Sequence, residues 1–272
     1  MTAPTLRLND GHTIPQIGLG TYPMDDAEAT AVIADALQAG YRHVDTAYKY
    51  GNEKGVGAGV RGSGVPRAEV FITTKIDGDY LGPKAREGVE GCLERLGVSY
   101  IDLLLIHWPL PARGLHLDTW QAMIGFVSEG LVRSIGVSNY KPAHLDRLIA
   151  ESGVTPAVNQ IELSPRITRA DHRAYDAAHG IVTTSWSPLG KGVLDDDRVA
   201  HVAAKHAVTP AQVIVRWHVQ QGLVVIPKSS SRERLRANLD VFRFVLDPAD
   251  LALLAQLDEG PGAGVDSDQT GH

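Results

Sequence analysis

Apolar residues along this chain fall into blocks of two alternating kinds. Short, near-continuous runs such as Ile101-Asp102-Leu103-Leu104-Leu105-Ile106 suit strands buried on both faces. Longer segments carry apolar residues at helical spacing, as with Val32, Ile33, Ala36 and Leu37, or Val213, Ile214 and Trp217. A glycine, the residue favoured just past a helix end, separates one kind from the next. Gly40 precedes His43 to Asp45, Gly97 precedes Ile101 to His107, and Gly130 precedes Ser134 to Ser138. Gly153, Gly180 and Gly222 stand likewise before Ala157 to Gln160, Thr183 to Ser187 and Val224 to Lys228, so helix, glycine, strand recurs six times. Ile17 to Gly20 and Phe71 to Lys75 bring the strands to eight.

The helical segments also open with capping chemistry. Asp25 with Glu28, and Thr209 with Gln212, have the spacing of a capping box, the second with Pro210 in the first helical position. Eight strands alternating with helices predict a closed (β/α)8 TIM barrel, because right-handed crossovers leave few other parallel topologies. Ahead of it, Leu6 and Leu8, the turn residues Asn9-Asp10-Gly11 and the run ending at Ile14 predict a short β-hairpin. A chain of 272 residues matches the roughly 250 of such a barrel. One domain is therefore expected over residues 1–272, with a loose tail over 258–272 where apolar periodicity stops.

Composition narrows the class of partner. A formal charge of −6 argues against nucleic acid, whose binding needs lysines and arginines to neutralise phosphates. No apolar run approaches the ~18 residues of a membrane span, and Met1 to Asp10 lacks the basic-then-apolar pattern of a secretory signal, so a cytoplasmic protein is expected. The lone Cys92 permits no intrachain disulfide and reads as helix packing.

Candidate chemistry clusters where barrels keep it, at the C-terminal ends of strands. Asp45, Lys75, His107, Ser138-Asn139, Gln160, Trp186-Ser187 and Lys228-Ser229 all fall there, and Tyr50 follows Asp45 by five residues. Individually each could be structural. Together Asp45, Tyr50, Lys75 and His107 form a circuit, since a phenol of reference pKa ~10 needs a cation beside it to exchange protons near neutrality. A charge at ~4 Å in an effective dielectric of about 20 supplies roughly 4 kcal/mol before desolvation subtracts, and Asp45 would keep Lys75 protonated and aimed. Competing motifs are weaker. Gly57-Ala58-Gly59-Val60-Arg61-Gly62 matches G-x-G-x-x-G but follows a helical segment, not a strand. Ser138-Asn139-Tyr140-Lys141 matches S-x-x-K without the companion motifs of serine acyltransferases. Neither H-E-x-x-H nor C-x-x-C occurs, so no metal is expected. The serines and cations from Lys228 to Arg234 suit either a phosphate-binding helix N-terminus or a plain serine cap. These residues alone leave open a lyase or hydrolase using His107 and Asp45.

In their order along the chain, the motifs resemble the aldo-keto reductase family. Gly18-Leu19-Gly20-Thr21-Tyr22, Asp45-Thr46-Ala47-Tyr48 with Tyr50, Thr74-Lys75, His107-Trp108-Pro109 and Gly136-Val137-Ser138-Asn139 are its landmarks. So are Asn159-Gln160, Trp186-Ser187-Pro188-Leu189 and Ile226-Pro227-Lys228-Ser229, and the resemblance runs from about Leu6 to Gly260. Among family members the chain is most similar to bacterial reductases related to 2,5-diketogluconate reductase. The resemblance implies reduction of a small-molecule aldehyde or ketone by NADPH. It implies Tyr50 as the proton donor, Lys75 and Asp45 as its tuning pair and His107 as the group orienting the carbonyl. Gly20 and Thr21 would lie beside the nicotinamide ribose, and Ser138, Asn139 and Gln160 would hold the carboxamide. Trp186 would stack on the nicotinamide, with Ser187 and Leu189 along the pyrophosphate. Lys228, Ser229, Arg234 and Asn238 would hold the adenosine phosphate and adenine. Tyr22, Tyr50, His107 and Trp108 would wall the substrate site. A monomer is expected, and a nucleotide-binding regulatory barrel without turnover is the alternative within the resemblance. One departure concerns the tail, where relatives usually carry a Gly-Arg pair and an Asp-Pro followed by an aromatic residue. Here the chain reads Gly260-Pro261-Gly262-Ala263 and Asp266-Ser267-Asp268, which leaves substrate size and polarity open.

Overall fold

The computed structural model describes residues 3–270. It opens with β1 (Thr5–Arg7) and β2 (Thr13–Pro15), an antiparallel pair with Leu6 opposite Ile14. This is the expected hairpin. Leu8 and Ile14 pack with Leu103, Leu105 and Val224, so the hairpin plugs the end of the barrel away from the strand C-termini.

The barrel strands follow as β3 (Leu19–Gly20), β4 (His43–Asp45), β5 (Phe71–Ile76), β6 (Ile101–Ile106), β7 (Val132–Ser138), β8 (Val158–Glu162), β9 (Val182–Trp186) and β10 (Val224–Val225). They lie side by side in chain order, all parallel. A parallel bridge between Ile17 and Val225, where the Gly18 N–H donates to the Val225 carbonyl at 2.9 Å, joins the first strand to the last and closes the sheet. The helices α1 (Asp26–Ala39), α2 (Glu53–Gly62), α3 (Ala85–Leu96), α4 (His116–Ser128), α5 (Pro142–Ser152) and α6 (Ala170–Ala178) make the first crossovers. Both α7 (Asp197–His206) and α8 (Pro210–Gln220) follow β9, and α9 (Arg232–Leu239) follows β10. The last helix, α10 (Pro248–Ala255), packs on α7. This is the (β/α)8 barrel that the alternation predicts.

All six glycines that mark the repeat have positive φ, from 64° at Gly97 to 114° at Gly40, a conformation that other residues reach only with strain. Strand alternation then divides the core. Along β6, Leu104 and Ile106 belong to the layer under the helices, whereas Leu103 and Leu105 fill the barrel interior. Thr209 and Gln212 form the reciprocal cap expected of them. Asp25 accepts from the Glu28 N–H at 2.8 Å, but the Glu28 carboxylate turns to Lys228 and Ser230 instead, so only half of that box forms. The G-x-G-x-x-G segment is interior to α2. A Cβ at Gly57 would lie 1.9 Å from the Leu96 carbonyl oxygen, so this glycine serves close packing of α2 against α3. Cys92 is buried, and burial pushes its thiol up, away from nucleophilic character.

The tail needs correction over its described residues, 258–270. Rather than running loose, it is tied down by polar contacts, which a search for apolar periodicity does not register. The Val265 N–H donates to Glu162 Oε2 at 2.7 Å, and Arg169 donates to the Val265 carbonyl at 2.7 Å. Lys141 bridges Asp266 and Asp268, and His144 lies 2.8 Å from Asp268. Among the described residues no helix is long and apolar enough to cross a membrane.

Candidate active site

Strand alternation also decides what enters the barrel mouth. Along β5, Thr74 turns outward and donates to Glu53 at 2.5 Å, while Lys75 and, two residues on, Asp77 point inward. Lys75 is fully buried. Its ammonium donates to Asp45 Oδ1 at 2.6 Å, to the Thr46 carbonyl at 2.9 Å and to the Tyr50 hydroxyl oxygen at 3.4 Å, so all three protons are committed. The other Asp45 oxygen accepts from Gln160 Nε2 at 2.7 Å. Asp45 is thereby held from two directions, by β5 and by β8.

Tyr50 ends a short turn, Tyr48–Tyr50, between β4 and α2. Buried Asn52 pins that turn by donating to the carbonyls of Thr21 at 3.1 Å and Met24 at 2.9 Å while accepting from Thr46 at 2.7 Å. The sequence reading did not single out Asn52, although its place just before a helix start could have suggested such a role. Burial pushes the Tyr50 phenol up, and the Lys75 ammonium offsets this only in part. The expectation that Lys75 would bring the phenol down toward neutrality is corrected: Tyr50 rests protonated. Burial likewise works against charge on Lys75, but Asp45 and Tyr50 together hold the ammonium above its usual range.

His107 follows β6, its ring 5.8 Å from that of Tyr50 between centroids. Its Nδ1 lies 2.9 Å from Asp77 Oδ2. Burial holds the imidazole below its usual range despite the Asp77 carboxylate, and Lys75 works in the same direction as burial. Asp77 is a second residue the sequence reading missed. The signal was there, because a strand side chain two places beyond Lys75 shares its face.

Around these groups, successive strands supply the far wall. Asn139, at a φ of 63°, donates to the His107 carbonyl and to Ser138 Oγ, each at 3.1 Å, and accepts from the Trp186 indole at 2.9 Å. Ser138 Oγ donates to the Gln160 carbonyl at 2.9 Å. This engagement, with Lys141 drawn to the tail, removes the acyltransferase reading of Ser138 and Lys141. Ser187 also takes a positive φ, 51°, where the chain leaves β9. Such strain in non-glycine residues gathers at functional mouths.

The pocket so enclosed measures about 440 Å³, within the range of small-molecule sites. Gly20, Thr21 and Tyr22 line it on one side with Asp45, Tyr50, His107 and Trp108. Ser138, Asn139, Gln160, Trp186, Ser187, Leu189 and Lys228 complete the lining. Lys75 lies beneath its floor. Ser229, Arg234 and Asn238 stand apart from it: Ser229 and Asn238 are buried, Asn238 beside the Tyr41 hydroxyl, and Arg234 is exposed on α9. Lys228 meets Glu28 at 3.4 Å and Ser230 at 2.7 Å. Among the described residues no group of three or more His, Cys, Asp or Glu side chains is placed to hold a metal.

A closed barrel with a tyrosine, a buried Lys–Asp pair and an imidazole at its mouth defines a reductase-type site, and the comparisons agree. The pattern of the Aldo/keto reductase family matches residues 16–259, and the chain belongs to that family. It is accordingly an oxidoreductase of carbonyl compounds. The chain is 50% identical over 259 residues to an aldo-keto reductase of Mycolicibacterium vanbaalenii, covering 94% of this chain and 93% of that one. It is 46% identical over 276 residues to methylglyoxal reductase DkgA of Escherichia coli (strain K12), covering 100% of both. A crystal structure of a Gox0644 mutant in complex with NADPH superimposes with a TM-score of 0.95 at 44% identity, covering 100% of both chains.

Proposed function

We propose that this enzyme reduces a small aldehyde or ketone to an alcohol with NADPH, Tyr50 giving the proton to the carbonyl oxygen. One observation carries the reading: a protonated, half-buried phenol opens on the pocket while the buried Lys75 ammonium, itself held by Asp45, meets its oxygen at 3.4 Å. That ammonium attracts the phenolate that proton donation leaves behind, so charge is neutralised as it forms. A regulatory barrel without turnover has no use for this arrangement.

The residues present fit the cofactor along consecutive strand ends. Ser138, Asn139 and Gln160 offer a preorganised amide-binding edge, and the Trp186 ring, tethered through its indole N–H, offers a flat wall. The backbone at Gly20 and Thr21 closes the opposite side, and Ser187 and Leu189 continue the wall from Trp186. Lys228 and Ser229 begin the approach to α9, where Ser231 caps the helix and Arg234 supplies an exposed guanidinium. Asn238 backs that helix from within. Bound NADPH supplies the hydride. Tyr22, Trp108 and His107 then confine the carbonyl compound against Tyr50, with Tyr22 and Tyr50 ring centroids 5.2 Å apart. The relatives named methylglyoxal reductase favour small, oxidised carbonyl compounds as the substrate class. The reading includes a monomer working in the cytoplasm, the first of which a solution mass of one chain would support.

Tyr50→Phe is the test. Turnover followed by NADPH absorbance should fall by at least about a hundredfold, the scale of a lost general acid. NADPH affinity, read by quenching of tryptophan fluorescence, should change no more than a few fold. Substantial retained turnover would remove Tyr50 as the donor.

A further inference from the structure

We propose that Glu28, on α1, is a cofactor-specificity residue: its carboxylate holds Lys228 and Ser230 as an internal stand-in for a nucleotide 2′-phosphate, so that NADPH must displace it and NADH need not. The inference rests on the NADPH reading of the segment between β10 and α9, and it gives that segment a competitor built into the chain.

Two acids of α1 hold the chain where it leaves β10. Glu28 and Asp35 are seven residues apart, two helical turns, and therefore share one face. Lys228 and Ser230 both donate to the same Glu28 oxygen, Oε1, Lys228 from 3.4 Å. Lys228 also donates to Ser230 Oγ at 2.7 Å, so it reaches the carboxylate directly and through the hydroxyl. The bond from Ser230, helped by Lys228, holds the Glu28 carboxyl below its usual range, and the group is an anion at neutral pH. Asp35 instead grips Arg232, at the start of α9, with both oxygens at 2.5 Å each.

These two contacts differ in strength. A bidentate carboxylate–guanidinium pair is among the strong charge-assisted contacts. The Lys228–Glu28 contact is longer than the roughly 2.7–2.9 Å of a charge-assisted bond, its side chains are 39% and 38% exposed, and exposed pairs of this kind contribute little. Asp35 is accordingly the fixed anchor of the segment and Glu28 the exchangeable one. A phosphate monoester brings close to two negative charges and three terminal oxygens, more than one carboxylate can offer the same donors. Lys228 lines the pocket as well as reaching α1, so one flexible side chain serves both anions. NADPH takes that ammonium only by breaking its contact with Glu28. NADH carries a 2′-hydroxyl in place of the phosphate and can leave the contact standing. Glu28 thus counts against NADPH alone, and the chain discriminates between the two cofactors less than its cations would allow.

Glu28→Gln removes the charge and keeps an acceptor for Ser230. Fluorescence titration should show NADPH binding tighten by roughly threefold to fivefold, the scale of one exposed ion pair, with NADH unchanged within about twofold. Asp35→Asn removes an equal charge from the same face of α1 and should give no such gain. In a Lys228→Met background most of the gain should disappear, since the competition runs through that ammonium. An NADPH affinity unchanged or weakened in Glu28→Gln overturns the proposal. So does an equal gain in Asp35→Asn, which would reduce the effect to long-range charge, or a gain kept in full without Lys228. Lys228→Met alone tests the underlying reading, because it should weaken NADPH and spare NADH. Should it weaken both alike or neither, Lys228 meets no 2′-phosphate, and reading and proposal fall together. Should it weaken NADPH alone while Glu28→Gln changes nothing, the phosphate reading stands and the role of Glu28 is refuted.

Discussion

Removing one member of the buried Asp45–Lys75 pair should cost far more stability than removing both. The two side chains are 2% and 0% exposed and meet at 2.6 Å. At that separation, with an effective dielectric of about 20, their attraction is roughly 6 kcal/mol, much of which offsets the desolvation of both ions. Lys75→Met strands the Asp45 carboxylate with the Gln160 bond alone. Asp45→Asn strands the ammonium with the Thr46 carbonyl and the Tyr50 phenol. Each single change should therefore cost about 3–5 kcal/mol, the usual penalty for an unpaired buried charge. The double variant carries no charge and nearly the same volume, so its loss should shrink to about 1–2 kcal/mol. Urea unfolding followed by tryptophan fluorescence measures all four corners, with an unchanged dependence on denaturant checking that the folded and unfolded states are comparable. Turnover should fall by about a hundredfold or more in every variant, the double included, because none retains the ammonium–carboxylate pair behind Tyr50. If the two single losses simply summed in the double variant, the pair would be uncoupled and the reasoning wrong. A stable double variant with near-normal turnover would refute it from the other side.

Two further outcomes follow from charges elsewhere in the barrel. With Lys228 engaged by Glu28 and Ser230, the exposed Arg234 is a further cation on α9 that can meet a 2′-phosphate, so Arg234→Ala should weaken NADPH by roughly tenfold while barely affecting NADH. Fluorescence titration at two salt concentrations checks this, since the NADPH affinity of the variant should depend less on salt, and equal weakening of both cofactors would remove the phosphate role. Burial pushes the Asp176 carboxyl up to about 7, against ~3.9 unfolded, so the folded chain keeps a proton that the unfolded chain has lost, and its stability contribution declines as pH rises through that interval. Asp176→Asn should abolish this decline and gain on the wild type by a few kcal/mol above about pH 7, measured by urea unfolding across pH; a gain independent of pH would mean the carboxyl ionises freely.

The barrel was legible because its determinants are local. A glycine at positive φ after each helix and a near-continuous apolar run after each glycine recur without reference to distant parts of the chain. The tail obeyed a different rule. Lys141 reaches Asp268 at 2.6 Å across more than a hundred residues, and no periodicity announces a contact of that kind. The half-formed box at Asp25 shows the same limit: spacing supplied the right partner in Glu28, but a stronger donor set at Ser230 and Lys228 claimed its carboxylate. Asp77 differs again, since it could have been found. The strand runs one residue beyond Lys75, to Ile76, and extending the alternation by one step puts an acid at the rim beside His107.

The Tyr50–Lys75 contact shows why naming two neighbouring residues from the sequence did not fix the direction of their effect. Coulomb's law gives the attraction of an ammonium for a phenolate, but only the folded chain reveals how much water the phenol has lost. Burial proves the larger influence, and the resting phenol lies above its ordinary range instead of below it. For proton donation this is the useful sign. A phenol poised near neutrality would spend part of its time without the proton it must give, whereas Tyr50, as the proposed donor, keeps that proton until the carbonyl oxygen gains charge. Lys75 contributes little to the neutral phenol and most to the phenolate that appears as the proton leaves. An interaction that strengthens only along the reaction raises the rate, while one already satisfied at rest would not. The ammonium can act so late because Asp45 and Gln160 fix it in place beforehand, and no reorganisation is needed when the charge on the phenol develops.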